Sequence, residues 1–178
     1  PSFQHHPCGS LPQVRLGDGP PETQVIARVR VGRAFGLEAP VRTHSPTLFV
    51  DLEMPAGSVL DLLPPQTPQA SERGLLVTEG QATLAEAGDR KASETPWPSG
   101  ALAVVPEGQA VRVSAGEHGA RVALIGGEPL GPRFLWWNFV SSRRERIAVA
   151  ADDWAAGRFP ILSGEDDVIP LPERRPLR

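Results

Sequence analysis

The sequence predicts an all-β protein, an antiparallel sandwich or barrel, followed by a C-terminal strand and a single α-helix. Three observations carry this prediction. Apolar residues recur with a period of two in short runs, as strands with one buried face require. The 20 Pro and 18 Gly among 178 residues exceed the usual combined share of about 12%, and they punctuate those runs as turns. A helical period appears once, late in the chain.

Residues 1–22 (PSFQHHPCGSLPQVRLGDGPPE) hold no sustained period and read as an irregular opening segment. From there Val25, Ala27, Val29 and Val31 alternate with Ile26, Arg28 and Arg30. Leu48, Val50 and Leu52 alternate with Phe49, Asp51 and Glu53. Further strands are expected at 58–63, 74–78, 81–85, 101–105, 110–114 and 120–125, each bounded by Gly, Pro or polar residues. Glu79-Gly80 lies between two of these runs and reads as a hairpin turn. Residues 86–100 form a longer loop carrying Trp97. The predicted organisation is an opening segment 1–22, a β-barrel 23–127, a strand-and-helix arm 128–173 and a tail 174–178.

The arm is the most unusual stretch. Residues 131–154 (GPRFLWWNFVSSRRERIAVAADDW) contain Trp136, Trp137 and Trp154, in a chain with four Trp and no Tyr. Read as extended, 134–140 places Phe134, Trp136, Asn138 and Val140 on one face and Leu135, Trp137 and Phe139 on the other. Both faces are largely apolar, so the strand needs a layer on each side. Ser142 and Glu145 have capping-box spacing. Ile147, Ala150, Ala151 and Trp154 then form a helical stripe anchored by Trp154, and Gly157 supplies a left-handed stop. Arg143, Arg144 and Arg146 stand at the helix's positive end and Asp152 and Asp153 at its negative end. Each misplacement costs about 0.3–1 kcal/mol unless partners exist elsewhere. The small side chains of the helix stripe cover little of two indoles. An apolar patch around Trp136 or Trp137 is therefore expected, with Phe139, Arg143 and Arg144 as further interface candidates.

Composition narrows the classes. Apolar residues at 40% and charged residues at 22% are ordinary for a globular chain. A net charge of −3 gives no electrostatic basis for nucleic-acid binding. No apolar run approaches the roughly 20 residues of a membrane span, and no basic-then-apolar leader is visible. The single Cys8 precludes an internal disulfide and suits a reducing compartment, so a cytoplasmic location is expected. The initial Pro suggests processing or a piece of a longer chain.

Residues 126–173, from GGEPLGPRFLWWNFVSS to DDVIPLPE, closely resemble the C-terminal end of bacterial pirin-like proteins. FQHHPCGSLP at 3–12, SPTLFVDLEMPAG at 45–57, LLVTEGQ at 75–81 and LAVVPEGQAVRV at 102–113 extend the resemblance over nearly the whole chain. It implies a cupin-like barrel, or jelly roll, and specifically the second of two tandem cupins with its terminal arm. In that family the first barrel holds an iron-type transition metal through a His-x-His pair, a further His and a Glu. Some members resemble quercetin 2,3-dioxygenases and others act as nuclear cofactors of transcription. The first barrel has no counterpart here, so no cofactor is expected in this chain.

The general cupin pattern can be laid on these residues directly. With its terminal Gly set at Gly80, the His-x-His positions fall near Gln66 and Pro68 and the carboxylate near Arg73. Glu72 is one residue away, but the strand period turns it to the other face. In the second pattern Pro106-Glu107-Gly108 is kept while the His position is Val111. Transition metals in such barrels need imidazole and carboxylate ligands, so a metal-free barrel is expected.

The remaining candidates are weak. His5 and His6 lie near Cys8 without a structured fourth ligand. His44, Ser45 and Asp51 could be imagined as a nucleophile set, but adjacent residues rarely face one another and no Gly-x-Ser-x-Gly elbow exists. His118 sits in a Gly-flanked turn. Gly126-Gly127 opens no helix, and Glu165-Asp166-Asp167 lacks the alternating ligands of a calcium loop. The leading expectation is a structural half that packs against an N-terminal cupin or self-associates through its arm. The alternatives are a share in a quercetin 2,3-dioxygenase-type enzyme and a small-molecule binding barrel.

Overall fold

The computed structural model describes residues 4–64, 70–87, 97–160 and 167–173. It divides into two compact units, a barrel unit ending at Pro129 and an arm unit beginning at Leu130. The barrel unit opens with β1 (Gln13–Leu16), β2 (Val25–Val31), β3 (Arg33–Ala34) and β4 (Leu37–Glu38). It continues with β5 (Thr47–Met54), β6 (Val59–Leu62), β7 (Glu72–Glu86), β8 (Trp97–Pro98), β9 (Leu102–Val105) and β10 (Val111–Gly127). The main sheet runs β1-β2-β5-β10-β7-β8, with β6 also paired to β10 and β9 to β7, all antiparallel. The all-β expectation holds, and the period-two residues are those that face inward. Val25, Ala27, Val29, Val50, Leu52, Leu75, Val77, Val113, Val122 and Leu124 are all buried in one core.

Three expectations are revised. Residues 13–16, placed in the irregular opening segment, pair with β2 as a strand. The runs 74–78 and 81–85 are one strand, β7, and 110–114 and 120–125 are likewise one strand, β10. Glu79-Gly80 is therefore not a hairpin turn. It sits where the β7–β10 register shifts: Ala82 faces Ala115, but Gly80 faces Ala120. This is a bulge, which bends a strand without reversing it. Gly80 (φ 71°) and Gly119 (φ 80°) occupy the left-handed region there, and a Cβ on Gly80 would collide with the Gly119 carbonyl.

The arm unit contains β11 (Phe134–Trp136), β12 (Phe139–Ser141) and α1 (Arg144–Ala155). The extended reading of 134–140 is corrected. Trp136 pairs with Phe139 across a two-residue turn, Trp137-Asn138, with Trp137 at φ 55°. The helix is present, but the Ser142–Glu145 capping box is not. Arg143 occupies the N-cap without a side-chain cap, and its N–H donates to Ser141 Oγ at 3.1 Å. At the other end Gly157 (φ 66°) donates to Trp154 O, and Arg158 N–H donates to Asp153 O, a Schellman stop. Arg158 also pairs with the Asp153 carboxylate at 2.6 Å, offsetting one anion at the negative helix end.

Gly80→Ala should destabilise the barrel by about 1–3 kcal/mol, since it forces a left-handed backbone and a backbone collision together; chemical denaturation measures it. A second test uses pH. Asp61 of β6 faces Arg112 of β10 in register and takes a two-pronged pair at 2.7 and 2.8 Å. The hydrogen bond from Arg112 holds the Asp61 carboxyl below its ordinary value. A lowered carboxylate contributes stability that is present above the unfolded pKa and lost as pH falls through the folded one. Asp61→Asn should thus cause a small, salt-sensitive loss at neutral pH that disappears in acid, as read from denaturation midpoints.

Candidate functional site

Of the four positions on which the cupin pattern would place ligands, two lie among the described residues, Arg73 and Val111. Arg73, on β7, is 5% exposed, and its neighbour Glu72 faces outward as the strand period requires. The Arg73 guanidinium donates from Nη1 to Leu63 O at 2.9 Å and from Nη2 to Gln109 O. It thereby ties the end of β6 to the turn after β9. Its Nε is buried without a hydrogen-bond partner. Burial pushes the guanidinium pKa below its ordinary value, but an arginine remains protonated. Val111, at the second pattern's His position, is 5% exposed and lies between Leu62 and Glu86 across the ladders. Gln66 and Pro68 lie outside the described residues. Arg73 and Val111 do not fit a metal: one repels a cation and the other has no donor atom.

The other candidates are not brought together. Among the described residues no group of three His, Cys, Asp or Glu forms a possible ligand set. His5 and Cys8 are exposed, and His6 is half-buried. The Asp51 carboxylate is engaged by Arg30 at 2.8 Å, with Arg121 and Arg28 at 3.4 and 3.5 Å, which commits it away from any Ser45–His44 set. Exposed His118 lines an open groove of about 550 Å³ with Glu53, Glu79 and Arg121. Gly126-Gly127 lies within β10. Glu165 and Asp166 fall outside the described residues.

In the arm the indoles already have partners. The two-residue turn puts Trp136 and Phe139 on the same side of the hairpin, not on opposite faces of one strand. Trp137 meets Trp154 edge-on at 5.2 Å, Phe139 at 5.4 Å and Trp136 at 6.4 Å. Phe159 joins the cluster at 5.4 Å from Trp154 and 5.9 Å from Phe139. The helix thus supplies the second layer with Trp154, contrary to the expectation drawn from Ala150 and Ala151. The Trp154 indole N–H also donates to Ile169 O at 2.8 Å. Arg144 lies over the Phe134 ring at 4.9 Å, while Arg143 is exposed and lines a groove of about 620 Å³ with Arg146, Arg158 and Phe159. The most exposed apolar side chains of the hairpin are Leu135 (73%) and Val140 (57%), which pair across it. Asn138, a residue type common in turns, was the available sign, although the positive φ falls on Trp137.

An antiparallel barrel whose inward strand positions form one aliphatic core defines a cupin-like β domain. Two solved quercetin 2,3-dioxygenase structures from Acinetobacter baumannii share it. One has a TM-score of 0.67 at 25% identity, covering 93% of this chain and 52% of that one. The other has a TM-score of 0.70 at 20% identity, covering 89% and 50%, and speaks to the fold alone. The chain belongs to the pirin C-terminal cupin domain family, whose sequence model matches residues 49–160. A "Pirin-like protein" of Caulobacter vibrioides is 36% identical over 97% of this chain and 54% of its own length. The chain spans about half the length of the curated relatives it matches.

Trp154 contacts two aromatic rings and donates one hydrogen bond, yet it is only half-buried. Trp154→Ala should therefore cost about 2–3 kcal/mol, below the 3–5 of a fully buried ring. Near-ultraviolet circular dichroism across a thermal scan reads the loss, and an unchanged transition would contradict the anchoring role.

Proposed function

We propose that this chain is the metal-free, structural half of a two-barrel pirin-like protein, packing against a companion barrel that carries the chemistry. The observation that carries the reading is Arg73: a buried, protonated guanidinium stands where the cupin pattern would put a metal-binding carboxylate. A cation beside it would face electrostatic repulsion with no imidazole from Val111 to offset it. The half-length match to longer relatives supports a companion domain. The barrel interior is filled with buried aliphatic residues, which favours a packed structural core over a ligand-holding barrel. Any dioxygenase activity of the whole protein would then belong to the companion barrel. Among the described residues no helix is long and apolar enough to cross a membrane. A lone exposed Cys8 is compatible with the cytoplasm we assign to it.

Elemental analysis of the purified, tag-free chain should find iron, nickel and zinc far below stoichiometry. About one retained transition metal per folded chain would overturn the proposal, since these ligand types could not account for it.

A further inference from the structure

The outer face of the barrel sheet does not alternate as a solvated face should. Register places Val104, Gly74, Ile125 and Phe49 side by side in one row across β9, β7, β10 and β5. The next row holds Leu102, Leu76, Ala123 and Asp51. Val104 is 76% exposed, Leu102 53% and Ile125 41%, while Ala103, Val105 and Leu124 on the inner face are buried. Strands apolar on both faces belong to sheets covered on both sides. Gly74 does not interrupt the strip, because Leu102 and Ile125 approach to 3.3 and 3.4 Å of the place its Cβ would take. At the flank of the strip, Arg28, Arg30 and Arg121 converge on the single Asp51 Oδ2. Arg30 also lies over the Phe49 ring at 5.7 Å. An apolar centre with arginine at its edge has the anatomy of a protein interface, not of a solvated sheet.

We infer that this outer face of β9, β7, β10 and β5 is the surface on which the companion half of the two-barrel polypeptide docks. The inference rests on the two-half reading above and gives it a face. The occupant is argued from length and charge. The Caulobacter relative matches 97% of this chain with 54% of its own length, so a comparable length of polypeptide accompanies this domain there. The facing surface would present an apolar centre, with carboxylates opposite Arg28, Arg30 and Arg121. Leu102, Val104 and Ile125, and not the self-satisfied indoles Trp136 and Trp137, are the residues that need it.

Thiol accessibility tests the assignment. In a Cys8→Ser background, Val104→Cys and, separately, Leu135→Cys are placed in the chain alone. Both are also placed in a chimera in which this chain replaces the matching half of the Caulobacter protein. Maleimide labelling of the Val104→Cys variant should be fast in the chain alone and roughly tenfold or more slower in the chimera, because reaction there requires opening. In the chimera, fast labelling of Val104→Cys with slowed labelling of Leu135→Cys would overturn this face and leave the two-half reading standing. Fast labelling of both variants there would overturn both. Slow labelling of Val104→Cys in the chain alone, with a dimer by sedimentation, would make a second copy the occupant and also overturn the inference. If the chimera aggregates, the full-length Caulobacter protein carrying a cysteine at the position aligned with Val104 is labelled instead, native against unfolded. Equal rates there would again overturn it.

Discussion

The ladder between β7 and β10 is the constraint on which the barrel unit depends. β10 registers against β5, β6 and β7, and β7 in turn registers against β8 and β9. Each of these long strands changes partner along its length, which requires a bend, and bending needs backbone that ordinary residues avoid. Gly80 and Gly119 supply it at positive φ, with their backbones too close for a Cβ. Because side chains alternate strictly from there, the bulge also decides which residues face inward. It puts Leu75 and Val77 in the core on one side of the bend and Ala82 on the other. The interior chemistry is thus a consequence of the register.

That interior holds one cation and no ligand set among the described residues. Burying Arg73 without a carboxylate costs free energy that its two carbonyl contacts only partly offset. Those contacts join the β6 end to the turn after β9, so the guanidinium acts as a cross-link between them. On the outside of the barrel unit, the apolar strip and the arginines around Asp51 depart most from a solvated sheet face.

The arm shows the same logic on a smaller scale. A hairpin and a single helix bury too little aliphatic surface for much stability, and the arm relies on five aromatic rings instead. Edge-to-face and offset contacts between Trp136, Trp137, Phe139, Trp154 and Phe159 give it a core of its own. The positive φ at Trp137 is unfavourable for a bulky residue, and the surrounding rings hold it in place.

The strand class, the inward faces of Val25, Ala27 and Val29 and of Leu48, Val50 and Leu52, and the single helix with its Gly157 stop were legible in the sequence. These follow from periods of 2 and 3.6 and from side-chain chemistry, which are local. The fold decided that Glu79-Gly80 bends a strand, because turn and bulge use the same left-handed glycine and differ in what lies opposite. It also decided that Trp136 and Phe139 share a side, since the reversal at Trp137-Asn138 is held by rings from Trp154 and Phe159, distant in sequence. The exposed pair Leu102 and Val104 was written in LAVV, a run apolar at every position. The run alone could not say which of its residues faced outward, because the alternation takes its phase from pairing with β7.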